Sequence, residues 1–221
     1  MLSIIIPTLN CRSDLTQLLA TLSHCSLLHE IIISDGGSND SLSEVVGGAR
    51  LIMGKANRGE QLAAGASKAM GAWFLFLHCD SKLQSGWEYI VKKFMLDHNN
   101  RYRAGYFSLI FDDSSQSARW VEQFVGWRSK TLGLPYGDQG LLINRAYYEY
   151  LGGFKNIPLM EDVDIVRRIG RQRLMPLASA VITSAKRYHC DGWLRRSLKN
   201  LLCLTLYFLG VSPDLLDKIY R

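Results

Sequence analysis

The feature that most constrains this chain lies in its first 80 residues, where four short apolar runs alternate with amphipathic segments. Leu2 to Ile6 is almost wholly apolar and β-branched and stops at Pro7, which reads as a buried strand. Asp14 is placed to cap a helix whose Leu15, Leu18, Leu19 and Leu22 fall on one face. Ile31 to Ile33 is a second strand, and Ser41 with Glu44 has the capping-box spacing of a short helix. Leu51 to Met53 is a third strand, the Ala-rich stretch from Gly59 to Met70 is helical, and Trp73 to Leu77 is a fourth strand.

Continuous apolar strands separated by helices belong to a parallel sheet covered on both faces. Ligands of such sheets bind beyond the carboxyl ends of the strands. After residue 80 the alternation lapses. Helical patterns are read around Trp87 to Met95, Trp120 to Trp127 (with Trp120, Phe124 and Trp127 on one face), Glu161 to Ile169 and Leu198 to Leu209. Strands are read at Ala104 to Phe111, Leu141 to Ile143 and Ala178 to Thr183. The expected fold class is therefore α/β: a Rossmann-like mixed sheet, mainly parallel in the N-terminal half, with an antiparallel addition and helices on both faces. The expected division is one domain over residues 1–192 and an apolar helical appendage over residues 193–221.

Composition narrows the partners. The net charge is +6 and the pI about 9.1, but Lys and Arg thicken only near the end of the chain, with no interleaving of aromatic and basic residues. That disfavours nucleic acid and leaves phosphate-bearing substrates or an anionic surface. Five cysteines without a CxxC pair suggest neither a disulfide framework nor a structural zinc site, as in a reducing compartment. The start has no basic n-region, and no apolar run approaches the roughly 18 residues of a membrane span, so a cytoplasmic protein is expected. The C-terminal helix is apolar on more than one face, with Arg195, Arg196 and Lys199 nearby. It offers burial in the core, a homodimer contact, or peripheral contact with the inner face of a membrane.

Three polar clusters follow strands directly: Pro7-Thr8-Leu9-Asn10, Asp35 to Asp40, and His78-Cys79-Asp80. A parallel sheet brings all three to one edge. Asp35 can accept a hydrogen bond from a ring N–H or serve its own turn. Asp80, after a very apolar strand, needs a partner, and a hard divalent cation is a good one. His78 would point the same way as Asp80. Arg58 at the start of a helix makes an anion site. Glu161 and Asp162 open another helix, whose dipole favours their charged forms. Neither GxGxxG nor GxxxxGK[ST] is present, which removes the main support for dinucleotide and P-loop readings.

With these residues in hand, the chain resembles the family 2 glycosyltransferases of GT-A fold. Ser3 to Asn10 resembles their first strand and loop, Glu30 to Asp40 their uracil-contacting segment, Leu77-His78-Cys79-Asp80 their DxD, and Met160-Glu161-Asp162 their acidic pair. His78 replaces the first Asp of the DxD. Segments 57–66, 136–140 and 183–187 further resemble a subgroup of short bacterial enzymes of arsenosugar-biosynthesis type.

The resemblance implies inverting transfer of a hexosyl group from a nucleoside-diphosphate sugar, a UDP-sugar first, to an acceptor hydroxyl. It puts Pro7, Thr8, Asn10, Asp35, Arg58, Gln61, His78 and Asp80 on the nucleotide sugar. Asp162 becomes the base, with Glu161 the second choice. Mg²⁺ or Mn²⁺ sits on Asp80 with help from the late His189, and Asp138 and Gln139 lie on the acceptor side. The alternatives are a nucleotidyltransferase, disfavoured because Pro7 to Arg12 contains no glycine, and a non-catalytic nucleotide-sugar-binding protein.

Overall fold

The computed structural model describes residues 1–220. β1 (Leu2–Thr8) lies between β2 (His29–Asp35) and β4 (Trp73–Phe76), parallel to both, and β3 (Arg50–Met53) extends the sheet beyond β2 in parallel. The antiparallel addition follows through β7 (Leu141–Asn144), β6 (Ala104–Phe111), β8 (Leu174–Thr183) and the two-residue β5 (Lys82–Leu83). The order across the eight strands is β3-β2-β1-β4-β7-β6-β8-β5. β7 runs antiparallel to β4 and β6, while β8 is parallel to β6 and antiparallel to β5. The mixed α/β sheet is thus the expected GT-A architecture.

Two cores form on the two faces. Ile4, Ile6, Leu15, Leu18 and Leu75 pack on one, and Ile5, Ile32, Phe74, Phe76 and Ile165 on the other. The side-chain alternation of a strand produces this split from a continuous apolar run. α2 (Arg58–Lys68) lies directly on β1, because a Cβ at Gly65 would sit 2.5 Å from Ile5 Cγ2.

Two local expectations are corrected, and one helix face is found turned outward. Asp14 sits inside the first turn of α1 (Arg12–Leu22), with Cys11 at the N-cap and no side-chain cap bond. Residues 41–49 form turns, not a helix. The pair that would have capped it is engaged elsewhere: Glu44 meets Arg12 at 2.6 Å, and Ser41 Oγ bonds Ser43 Oγ at 3.0 Å. In α4 (Gln116–Leu132) the aromatic face Trp120, Phe124, Trp127 points to solvent, while Ala118, Val125 and Ser129 face the core. Small residues there let the helix approach β6 closely, and the larger rings fit only outside.

The C-terminal segment packs onto the same core. α7 (Lys186–Asp191), α8 (Trp193–Phe208) and α9 (Pro213–Tyr220) follow β8, and α9 has no counterpart in the sequence reading. Cys203, Leu204 and Leu216 are buried in the same cluster as Phe74 and Ile165, so residues 193–220 share the main core. The outward residues Leu194, Leu198, Leu201 and Leu202 stay exposed. Among the described residues no helix is long and apolar enough to cross a membrane.

Candidate active site

The carboxyl ends of β1 and β2 form a braced shelf. Asp35 is buried at the end of β2 and accepts four hydrogen bonds from nearby groups. Thr8 Oγ1 and Ser38 Oγ donate to its Oδ1 at 2.9 and 2.5 Å, and the Gly37 and Ser38 N–H groups to its Oδ2 at 3.0 and 2.8 Å. Burial works against its charge, but these donors outweigh it and hold the carboxyl below the usual range. Gln61, also buried, donates from Nε2 to the Thr8 and Ser34 carbonyls, both at 2.8 Å. It ties α2 to both strand ends. Asn10 is left-handed at φ 51° and joins the loops: its N–H donates to Ser38 Oγ, and its Oδ1 accepts from Asn39 N–H, both at 2.8 Å. Asp35 and Gln61 therefore fix the shelf on which Pro7, Thr8 and Asn10 stand.

Beside the shelf a cleft with an empty volume of about 870 Å³ collects Arg58, His78, Asp80, Asp138, Glu161 and Asp162. They come from four separate places: the start of α2, the loop after β4, a 3-10 turn at Gly137–Gln139, and the start of α6 (Glu161–Ile169). Close backbone approaches hold them together. A Cβ at Gly59 would fall 2.7 Å from the Ile157 carbonyl and closer still to that of Lys155. Only glycine lets the 155–157 loop reach α2, and Lys155 in turn pairs with Asp164 of α6 at 2.7 Å. Gly137 plays the same part opposite: its N–H donates to Asp162 Oδ2 at 2.7 Å, and a Cβ there would meet His78 Nε2 at 2.7 Å. Met160, left-handed at φ 64°, makes the turn that starts α6 and presents the acidic pair. A non-glycine residue in this region carries strain, as residues at functional sites often do.

The electrostatics separate the two acids. Glu161 is 1% exposed, and burial, reinforced by Asp162, pushes its carboxyl up to about 8 against the opposing pull of Arg58 at 3.7 Å. It keeps its proton at neutral pH. Burial also raises Asp138 to about 6, with Arg128 opposing and Asp162 and Asp80 adding to the rise. Burial, then Arg58 and Arg187, push His78 well below its ordinary value, so its ring is neutral.

The other wall was not foreseen. Thr183, Ser184, Arg187 and Tyr188 face the cleft, followed by Arg196 and Asn200 of α8 and Tyr220 of α9. The only signal for it was the family likeness of segment 183–187; α8 showed only its apolar character, and α9 showed nothing. Two expected residues stand elsewhere. His189 points away, its Nε2 2.7 Å from Asp113 Oδ2 and its ring edge-on to Trp193. On α7 it lies two residues past Arg187, and that helical step turns it off the cleft. Gln139 is buried behind the site, its amide bound to the Phe107 carbonyl at 3.0 Å and Ser129 Oγ at 2.8 Å.

Among the described residues no group of three or more His, Cys, Asp or Glu side chains could hold a metal ion. Asp80 supplies one carboxylate at the cleft. A single carboxylate fits a divalent cation that completes its coordination with phosphate oxygens of a ligand and water, the usual manner of Mg²⁺.

Comparison with known proteins bears on the fold and the family. In solved structures the chain is similar to a Staphylococcus aureus TarS fragment, residues 1–349, at TM-score 0.63 and 15% identity, covering 99% of this chain and 69% of that one. It is also similar to GalNAc-T7 with UDP, GalNAc and Mn²⁺, at TM-score 0.65 and 14% identity, covering 83% of this chain and 44% of that one. No curated protein is detectably similar in sequence. The model of the family described as "Glycosyl transferase family 2" matches residues 3–147, the segment that carries β1, the shelf, Asp80 and Asp138. On that match, and with a GT-A sheet that delivers the acidic cleft, the chain belongs to the family 2 glycosyltransferases.

Proposed function

We propose that this glycosyltransferase takes a UDP-sugar as donor and transfers the sugar, with inversion and with the help of Mg²⁺ or Mn²⁺, to an acceptor hydroxyl. The observation that carries the reading is the cleft itself, where Asp80, Asp138 and the Glu161–Asp162 pair meet the cationic Arg58, Arg187 and Arg196. The nucleoside lies on the shelf of Pro7, Thr8, Asn10 and Asp35, and Arg58 and Arg187 flank the diphosphate. Asp80 would hold the cation, with His78 beside it in the cleft, and the cation would offset the charge developing on the leaving diphosphate.

Asp162 is the base. Its Oδ2 is held by the Gly137 N–H, and burial together with Asp162 pushes the neighbouring Glu161 carboxyl up to about 8, which disfavours Glu161 for that role. Asp162 takes the hydroxyl proton as the acceptor oxygen bonds to the anomeric carbon. The bond from that carbon to the diphosphate oxygen breaks, and the electron pair leaves with the diphosphate. No second carboxylate is needed as a nucleophile, which agrees with one inverting displacement. The likeness of segments 57–66, 136–140 and 183–187 to the arsenosugar-type subgroup gains weight from their position, since each contributes to the cleft or its bracing.

Thermal shift with UDP, GDP, ADP and NAD, each with and without Mn²⁺, tests the donor, because a ligand bound only by the folded state raises its stability. UDP with Mn²⁺ should give the largest shift. A dominant NAD shift with none from UDP refutes the reading.

A further inference from the structure

We propose that the wall built by α7 to α9 is an acceptor subsite for a polyhydroxylated molecule, a sugar or polyol, whose hydroxyl groups donate to Asp138 and Asn200. This rests on the glycosyl-transfer reading above and adds the class of acceptor to it. Asp138 Oδ1 and Asn200 Oδ1 are both buried without a hydrogen-bond partner, and both residues line the same cleft. An unsatisfied buried polar atom costs about 1–3 kcal/mol. Two of them on residues that line one cavity are explained when a ligand completes them.

Both orphans are oxygen acceptors, so the missing partner must donate. Hydroxyl groups on neighbouring carbons do so in pairs. An alkyl acceptor would leave both oxygens stranded in a dry site. A phosphorylated acceptor would bring further acceptor oxygens against them. The third component is Tyr220. Arg196, 8% exposed, donates to Asp191 Oδ2 at 3.0 Å and to Tyr220 Oη at 2.6 Å, which holds Tyr220 at the cleft. Arg196 Cζ and Lys199 Nζ lie 4.7 and 5.6 Å from the Tyr220 ring centroid, so this end of the wall is polar and cationic and suits hydroxyl groups better than an alkyl chain. The family match ends at residue 147, so Asn200 and Tyr220 lie beyond the matched segment while Asp138 lies within it, and acceptor choice of this chain would be written where the two meet.

The test is a melt of the protein saturated with UDP and Mn²⁺, titrated with methyl glucoside, methyl galactoside, glycerol and 1-hexanol. At least one methyl glycoside should raise Tm. Asn200→Leu should weaken its apparent affinity about tenfold, the loss of one good hydrogen bond, and leave the UDP shift in place. Asn200→Asp keeps an oxygen acceptor and should retain the glycoside shift, which separates loss of the acceptor atom from damage to the fold. A shift with hexanol alone, with none of the four, or one indifferent to Asn200→Leu overturns the proposal. If UDP with Mn²⁺ gives no shift, the donor reading fails instead, and the glycosides titrated alone still report on the subsite by the same criteria.

Discussion

Glu161→Gln should make the protein more stable relative to wild type as pH rises. In the native state burial and Asp162 lift the Glu161 carboxyl from its ordinary 4.5 to about 8. Between those values the unfolded chain releases the proton and the folded chain keeps it. The native state then binds more protons than the unfolded state, so stability falls as pH rises through this window. Each unit of difference is worth about 1.4 kcal/mol, so from about pH 5 to pH 7.5 wild type should lose roughly 3 kcal/mol from this group alone. Glutamine keeps the shape and does not titrate. For a chain of this length that is a Tm difference growing by about 6 to 12 °C over the interval. The contact with Arg58 at 3.7 Å is altered in the variant at every pH. For that reason the growth of the difference is diagnostic, not its absolute value. The assay is a pair of urea or thermal melts at half-unit pH steps. Parallel stability curves for the two proteins would refute the claim that Glu161 is held protonated.

Asp162→Asn should lower transfer by about two to four orders of magnitude with UDP affinity nearly unchanged, since a general base acts in the transition state; calorimetry beside a UDP-release assay checks it, and equal loss of binding would reject the role. Asp80→Asn should remove the strengthening of UDP binding by Mn²⁺ while the melting curve of the free protein stays in place, because the Asp80 side chain lies part-exposed at the cleft; an unchanged metal dependence would clear Asp80 of the task. Gly59→Ala should cost stability and donor affinity together, as the new methyl meets the Lys155 and Ile157 carbonyls; overpacking of this kind costs about 1–3 kcal/mol, and a variant with wild-type Tm would show that the loop gives way freely. The exposed Leu198 and Leu202 of α8, next to Arg195 and Lys199, should carry the protein upward with phosphatidylglycerol vesicles in flotation, and Leu198→Ser with Leu202→Ser should abolish it; wild-type protein that stays at the bottom ends the idea.

What the sequence by itself determined is local and periodic. Apolar runs too long for one-sided burial fixed the parallel half of the sheet, and the polar residues that end them had to gather at one edge. Arg58, Asp80, Glu161 and Asp162 were legible for the same reason: each charge sits where a strand or helix ends, and such ends converge in this topology. Periodicity misled where packing overruled it. The aromatic stripe of α4 is legible as one face of a helix, but only packing turned it outward, because β6 accepts the small residues opposite it. Glu44 reads as half of a capping box until Arg12, far away in sequence, takes its carboxylate. Only the tertiary structure decided which polar residues face the cleft and which brace it. Asp35 and Gln61 satisfy their hydrogen bonds within the shelf, Gln139 lies behind the site, and His189 turns to Asp113 instead of the cleft. The far wall depends on α8 and α9 folding back until Leu216 enters the core and Tyr220 reaches Arg196. Those contacts join side chains from separate elements. No pattern of neighbouring residues encodes such contacts, because their energy exists only once the whole domain has closed around them.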